Sequence, residues 1–278
     1  MNYAKEVFQS RELLAYLTLK EIKGRYKRTF LGQLWSLLNP LAAMLIYTFV
    51  FGFILKLTPK PGDPSGLDIF AIWLLCGLIP WVFLATTISQ GMQSLVLNAN
   101  LIQKVYFSRI VLPLSAAGAA GFTWLFEMFV LIVALSILGA FVLPWIPYLV
   151  LVMLLLALFA IGLSLMLAVA NVVFRDTEHF VGILLQIWMY LTPIIYPNEV
   201  VEAASNGLGG ILGTNLTVLG IYQWNPMVHF VNVFRALMYD NRWPDPNELL
   251  VCAIWALAIF MVGVLVFRRN ESKLAEML

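Results

Sequence analysis

The chain has 278 residues, of which 62% are hydrophobic and only 12% are charged, and its mean hydropathy is +0.88. Soluble domains are usually about half apolar and about a quarter charged, so this composition excludes a soluble globular protein and predicts an integral membrane protein. The net charge of +2 is too small to indicate a nucleic-acid partner. Cys76 and Cys252 fall within apolar runs, where cysteine acts as a small hydrophobic residue, so neither a disulfide nor a metal site is expected.

Residues 1–33 precede the first apolar run and predict a cytoplasmic amphipathic helix. One set of apolar residues falls at helical spacing: Ala15, Leu19, Ile22 and Tyr26. A separate row at helical spacing is basic: Lys20, Lys23 and Lys27. This pattern is typical of a helix on a membrane surface. A basic cluster follows within it, comprising Lys23, Arg25, Lys27 and Arg28. The cluster either sets topology alone or also meets a charged substrate.

Six apolar runs follow, at 34–55, 69–94, 110–141, 146–174, 181–196 and 249–267. A transmembrane helix needs about 20 residues, so we predict six spans in one transmembrane domain over 1–278, the first five within 34–196. The fifth run is short and stops at Pro193 and Pro197, which predicts a broken helix.

The distribution of charge predicts the orientation. Segments 1–33, 95–109, 175–180 and 268–278 carry 13 lysines and arginines and 7 acids, whereas 56–68, 142–145 and 197–248 carry 4 and 7. Positive residues favour the cytoplasmic side, so we place both termini, including the tail 268–278, in the cytoplasm of a multi-pass inner-membrane protein.

The cytoplasmic loop 95–109 predicts a short helix over 98–108, which Asn98 or Asn100 would cap. Such a helix either docks on a cytoplasmic partner or rests on lipid. The candidate contacts with a partner are Asn100, Leu101, Ile102, Lys104, Val105, Tyr106, Phe107 and Arg109. Arg175 and Asp176 lie in the next cytoplasmic loop, where they either pair with each other, contact headgroups or contact a partner.

The outer segment 197–248 predicts two short re-entrant helices before the last span. Asn225 followed by Pro226 is a helix start, and an apolar stripe comes after it: Phe230, Val233, Phe234 and Leu237. These helices either gate an exit, with Phe230, Phe234 and Arg235 as gate residues, or pack without moving. Arg235 and Arg242 either meet phosphates or form local salt bridges.

Glu127 is an acid within the third run, so it is either a proton-relay group or a helix contact. The sequence has no GxxxxGK[ST] loop, no HExxH and no GxSxG. These absences predict a transport subunit that is not an enzyme and that holds no cofactor of its own.

Five stretches, in order, resemble a known family. They are EIKGRYKRTFLGQLWSLLNPLAAMLIYTFVF at 21–51, NANLIQKVYFSRIVLPLS at 98–115, FRD at 174–176, LTPIIYP at 191–197 and NPMVHFVNVFRAL at 225–237. Together they resemble the membrane subunits of ABC-type polysaccharide and polyol-phosphate exporters, such as O-antigen and teichoic acid permeases. Ser108 departs from the pattern, where a proline is expected.

The resemblance implies a homodimer that works with two copies of a separate ATP-binding cassette subunit, which would hold ATP and Mg²⁺. The 98–108 helix would be the coupling helix, and the basic helix, with Tyr26, would lie where the lipid-linked substrate approaches. The substrate would be a polysaccharide carried on a polyprenyl diphosphate. Aromatic residues of the first and fifth spans would then line the channel: Tyr47, Phe51, Trp188, Tyr190 and Tyr196.

Three alternatives stay open at this point. An exporter of a smaller lipid or drug would share the fold. A membrane-embedded glycan enzyme would need clustered polar groups on an inner loop. A proton-coupled carrier would depend on Glu127.

Overall fold

The computed structural model describes residues 10–25, 34–54, 61–105, 107–208 and 218–277, and regular structure within them is helical throughout, as predicted. The first half contains α1 (Arg11–Arg25), α2 (Trp35–Tyr47, continued by a π-helix over Thr48–Ile54), α3 (Phe70–Leu97), α4 (Ala99–Lys104) and α5 (Val111–Ile137). The second half contains α6 (Ile146–Val173, after a 3₁₀ turn over Leu143–Trp145), α7 (Thr177–Tyr190), α8 (Asn198–Leu208), α9 (Val218–Gln223), α10 (Pro226–Arg235, continued by a π-helix over Ala236–Asp240), α11 (Pro246–Asn270) and α12 (Leu274–Met277).

Four helices in the described part of the chain are long and apolar enough to cross a membrane: α3, α5, α6 with its preceding turn, and α11. The other two predicted spans form shorter helices. At 1.5 Å per residue, the 14 residues of α7 extend about 21 Å, less than the ~30 Å of a bilayer core. Its end at Tyr190, shortly before Pro193, agrees with the predicted break.

The core is built around α3, which packs against α5, α6, α7 and α10. In the most apolar stretch of α3 72% of residues are buried, against 17% in α11. α6 and α11 approach each other closely at two glycines, since a Cβ on Gly263 would lie 2.3 Å from the carbonyl oxygen of Gly162. Within a bilayer, helices associate through such close packing rather than through the hydrophobic effect.

The N-terminal helix α1 packs on the first turns of α5. Leu17 and Ile22 are buried there, and Thr18 lies against Gly118. The predicted apolar face is therefore wrong in part, because Ala15 and Leu19 are exposed. A face that fits another helix need not be the face with the most even apolar spacing.

The bundle has two chemically different ends. One carries α1, α4, residues 174–176 and the tail from Arg268, and we call it the basic end. The other carries residues 61–69, 138–145 and 191–248, and we call it the acidic end. Three short helices lie at the acidic end (α8, α9 and α10), one more than the two predicted.

Candidate functional site

The short helix at the basic end differs from its prediction in length. α4 ends at Lys104, and Val105 is extended with φ −132° and ψ 132°, so the helix does not continue to residue 108. Asn98 occupies the N-cap position, but its side chain donates to the Ser94 carbonyl oxygen (2.9 Å) instead of capping α4. Tyr106 lies outside the described residues.

The apolar residues of α4 are partly used within the chain. Ile102 is buried in a cluster at the basic end that α1, α5, α6 and the tail complete, and Leu101 and Phe107 pack against that cluster. Ile102 therefore packs within the chain, and docking of this loop on a partner stays a prediction.

The surface that α4 leaves exposed is mixed in character. Leu97 is 75% exposed and Val105 is 52% exposed, and between them Asn100, Gln103 and Lys104 are exposed too. These five residues form what we call the α4 surface. Two apolar side chains with a lysine and two amides suit contact with a soluble partner, because they combine apolar contact area with polar groups that select the partner.

The C-terminal tail holds the end of this loop in place. The Glu271 carboxylate accepts a hydrogen bond from the Arg109 backbone N–H (2.8 Å) and one from the Ser108 hydroxyl (3.4 Å). The Arg109 guanidinium donates in turn to the Glu271 carbonyl oxygen. Leu274 is fully buried beyond this contact. The sequence did not point to Glu271, because its partners lie more than 160 positions away.

The loop between α6 and α7 is held near α3 by a residue that follows it, Glu178. Arg175 and Asp176 are both exposed, and Asp176 occupies the N-cap position of α7 without a capping bond from its side chain. Glu178, two positions further on, accepts a hydrogen bond from the Gln93 amide of α3 (2.8 Å). Contact of Arg175 and Asp176 with a partner stays a prediction.

The basic cluster lies only in part within the described residues. Lys23 is exposed on α1, and Arg25 is the last residue of that helix. Tyr26, Lys27 and Arg28 lie outside the described residues. Beside this cluster is a cavity of about 300 Å³ between α1 and α3, which Lys20, Glu21, Gln90 and Gln93 line.

The predicted channel aromatics have different surroundings. Tyr190 is 57% exposed, whereas Tyr47 packs against the core and the Tyr196 hydroxyl donates to the Tyr190 carbonyl oxygen (2.7 Å). The Trp188 ring packs edge-on to Trp81, and its N–H donates to the Asn225 side-chain oxygen (2.7 Å). Trp188 therefore has a packing role inside the chain.

Phe51 lies in the π-helix that continues α2. The lining of a channel by any of the five aromatics stays a prediction.

At the acidic end, α10 begins as the sequence predicts. The Asn225 side-chain oxygen accepts a hydrogen bond from the Met227 N–H (3.0 Å), and Pro226 occupies the first helical position. The apolar stripe after it is fully buried, and Phe230 and Phe234 pack against Phe159 and Trp124. In this conformation the stripe belongs to the core, and a gating movement stays a prediction.

Arg235 is buried at the end of α10, where it bonds to backbone carbonyls. Its guanidinium donates to the carbonyl oxygens of Pro193 (2.5 Å) and Ile194 (2.8 Å), and its carbon atom Cζ lies 3.5 Å from the centroid of the Trp73 ring. A Cβ on Gly77 would lie 3.1 Å from the guanidinium, so a glycine there provides the room. Arg235 thus connects the end of α10 to the segment that follows α7, at Pro193 and Ile194.

The two predicted alternatives for the outer arginines have different outcomes. The salt bridge predicted for Arg235 is wrong for the described residues, since it donates to carbonyls and not to a carboxylate. The salt bridge of Arg242 is confirmed, with 3.0 Å between its Nε and the Asp240 carboxylate. Arg242 remains largely exposed, so this pair contributes little to stability.

Hydrogen bonds of His229 connect α10 to the first turn of α11 and to the end of α9. One ring nitrogen of His229 lies 2.5 Å from the Glu248 carboxylate, and the other lies 2.8 Å from the Gln223 carbonyl oxygen. Burial alone would lower the pKa of His229, but these bonds outweigh it and raise the pKa above its ordinary value. Because both nitrogens face acceptors, the protonated ring satisfies the geometry best. No pattern in the sequence indicated this pair.

Known proteins that resemble this chain are membrane transporters, which agrees with its long apolar helices. Residues 12–206 match the ABC-2 type transporter family. The chain belongs to the ABC-2 type transporter family. The matched range of this ABC-2 transporter chain contains α1 except its first residue, the α4 surface and α7, whereas α10 and its stripe lie beyond it.

Several curated proteins resemble the chain over nearly its whole length. The O-antigen export system permease protein RfbA of Myxococcus xanthus is 27% identical and covers 99% of both chains. A protein of the same name from Klebsiella pneumoniae is 28% identical over 96% of this chain and 95% of its own length. The polysialic acid transport protein KpsM of Escherichia coli is 24% identical over 92% of each.

Proposed function

We propose that this ABC-2 transporter chain is the channel-forming permease subunit of an exporter that moves a cell-envelope polysaccharide across the cytoplasmic membrane, powered by ATP hydrolysis in a separate subunit. The observation that carries the proposal is the full-length similarity to relatives named for O-antigen export and polysialic acid transport. The bundle of apolar helices fits a membrane subunit of this kind.

The α4 surface supports a role for an ATP-hydrolysing partner. The sequence has no phosphate-binding loop, so energy from ATP has to come from another chain. At the basic end, Leu97 and Val105 expose apolar area next to Lys104, and Glu271 fixes the loop that follows. A push on α4 would pass directly to α3, because α4 follows α3 after one residue.

The basic cluster is suited to the head of a lipid-linked substrate. A polyprenyl diphosphate carries several negative charges at the membrane surface, and lysine and arginine bind phosphate oxygens through charge-assisted hydrogen bonds. Lys23 is exposed on α1, and the neighbouring cavity has Lys20 and two glutamines in its lining. The diphosphate would meet these residues before the polymer enters the path.

A homodimer would supply the other wall of the path. α7 exposes an apolar face along its whole length, formed by Phe180, Ile183, Leu184, Ile187 and Tyr190. α2 and its π-helix expose a second face that includes Leu45, Ile46 and Phe49. Pairing two copies through these helices would cover both faces, and α7 alone is too short to cross the bilayer.

Co-purification with the candidate ATPase and polymer-stimulated ATP hydrolysis in reconstituted vesicles test the proposal. Lys104→Glu, on the α4 surface, should weaken ATPase binding and lower ATP hydrolysis. Lys273→Glu is a matched control, since Lys273 is exposed at the same end and undergoes the same charge change. Equal behaviour of the two variants would contradict α4 as the contact, and the absence of polymer stimulation in the wild-type complex would contradict the function.

Two further variants separate the parts of the mechanism. Replacing the four charges of the basic cluster with neutral residues should lower export and leave ATPase binding intact, and an unchanged export rate would contradict the headgroup role. Glu127→Gln should leave export intact, whereas an ATP-site mutation in the partner should abolish it. Loss of export in Glu127→Gln, together with normal export in the ATP-site mutant, would identify a proton-coupled carrier.

A further inference from the structure

The acidic end contains a cavity of about 820 Å³ that forms within a single chain. It lies between the loop before α3, the start of α8, the end of α10 and the start of α11. Its size is in the range of small-molecule sites, which are usually about 300–1,000 Å³. Two of its lining residues, Tyr196 and Arg235, belong to the predicted channel and gate, and the roles given to α4 and the basic cluster do not involve it.

The cavity presents aromatic rings that neighbouring contacts already hold. Trp243 is 58% exposed, and its ring lies 4.3 Å from that of Tyr148 and 6.0 Å from that of Trp145, centroid to centroid. Tyr196 is held by the hydrogen bond from its hydroxyl to the Tyr190 carbonyl oxygen. Rings fixed in this way lose little side-chain entropy when a ligand stacks on them.

Polar groups in the wall supply mainly hydrogen-bond acceptors. The Asn198 amide donates to the Asn232 side-chain oxygen (2.9 Å), and the Asn232 amide donates to the Glu248 carboxylate (3.2 Å). Both amides are thus engaged within the wall, and the lining also contains five carboxylates. A wall of acceptors favours a ligand that brings donors, and hydroxyl groups can donate and accept.

The charge of the lining disfavours anionic ligands. Five carboxylates line the cavity against two arginines. Some of these groups pair with each other or with neighbours, such as Arg242 with Asp240 and Glu248 with His229. The lining still has more acidic than basic groups, so it repels an anionic sugar, and this repulsion gives selectivity by disfavouring the wrong ligand.

We propose that this cavity binds uncharged sugar units, with pyranose rings stacking on Trp243 and hydroxyl groups bonding to the carboxylates of the lining. The inference rests on the proposed function, in which the exported polymer passes the acidic end. It adds a selectivity that the relative named for polysialic acid transport would not share, since sialic acid is anionic. A site here would hold the emerging polymer after each step and oppose backward movement.

Binding of defined oligosaccharides to the isolated full-length chain in lipid nanodiscs tests the proposal. Neutral mannotriose should bind saturably in calorimetric titration, and α2,8-linked disialic acid should not. Trp243→Ala should weaken mannotriose binding about 3- to 10-fold through the lost stacking face, and Trp243→Phe should restore most of it. Trp224→Ala is the matched control, because Trp224 is 77% exposed and lies outside the cavity lining, and it should bind like the wild type.

Three results would overturn the assignment: no saturable binding of mannotriose, equal losses in Trp243→Ala and Trp224→Ala, or a preference for disialic acid. Glu199→Gln removes one lining charge and should narrow the discrimination against disialic acid. An unchanged discrimination would refute the charge argument even if Trp243→Ala failed to fold.

The same measurements separate this inference from the proposed function. Mannotriose binding by the isolated chain, with no polymer stimulation of ATP hydrolysis in the complex, would uphold the cavity and refute the export function. Polymer-stimulated hydrolysis without mannotriose binding would uphold export and refute the cavity assignment.

Discussion

Replacement of Arg235 tests how the acidic end is held together. Its buried guanidinium joins three parts of the chain, because it donates to the Pro193 and Ile194 carbonyl oxygens and stacks on Trp73. Arg235→Met fills similar space without a donor. We expect the broken end after α7 to separate from α10 and the protein to lose stability.

The magnitude follows from the groups left behind. Two buried carbonyls without a donor cost about 1–3 kcal/mol each, and the lost cation–π contact costs about 0.5–2 kcal/mol. Part of this is offset, because a buried charge no longer has to be desolvated. We expect a net loss of about 2–5 kcal/mol, or roughly 5–15 °C in the midpoint of thermal unfolding for a chain of this size.

Arg235→Lys should give an intermediate loss, since an ammonium group keeps the charge but lacks the planar fork that reaches two carbonyls. The assay is the loss of the monodisperse peak in size-exclusion chromatography after heating in detergent. Arg242→Met is the matched control: its ion pair with Asp240 is exposed, and its loss should cost under about 1 kcal/mol. Equal midpoints for Arg235→Met and Arg242→Met would refute the reasoning.

Three further predictions concern other contacts. Gly263→Ala places a Cβ 2.3 Å from a backbone oxygen of α6 and should destabilise the chain by about 1–3 kcal/mol in the same heating assay. A midpoint equal to that of the wild type would show that α6 and α11 can move apart without cost. Glu271→Ala removes the acceptor of the Arg109 N–H and should speed hydrogen exchange of that amide about 10- to 100-fold. Glu271→Gln should exchange at a rate closer to that of the wild type. An unchanged exchange rate in Glu271→Ala would mean that the tail does not hold the loop. Because the pKa of His229 is raised, its bond to Glu248 stabilises the fold fully below pH 6.5 and less as the pH rises through the folded-state pKa. The midpoint of thermal unfolding should therefore fall over that pH window in the wild type but not in His229→Gln. Parallel pH profiles of the two proteins would exclude this pair as the cause.

The sequence alone determined the class of protein and most of its helices. An excess of apolar residues in runs of about 20 admits few structures other than membrane-spanning helices, because backbone polar groups need internal partners in lipid. Local chemistry located the start of α10 at Asn225 and Pro226 and the break near Pro193, since both depend on neighbours within a few residues. The ordered short motifs were enough to indicate the family.

Only the tertiary structure decided which face of each helix is used and which polar groups meet. The evenly spaced apolar residues predicted a face of α1 that is buried only in part, because the buried face is set by its fit to α5. The partners of Arg235 and Glu271 are backbone groups about 40 and 160 positions away, and backbone groups carry no sequence signal. The cavity beside Trp243 likewise arises where four distant segments meet, so its lining exists only in the folded chain.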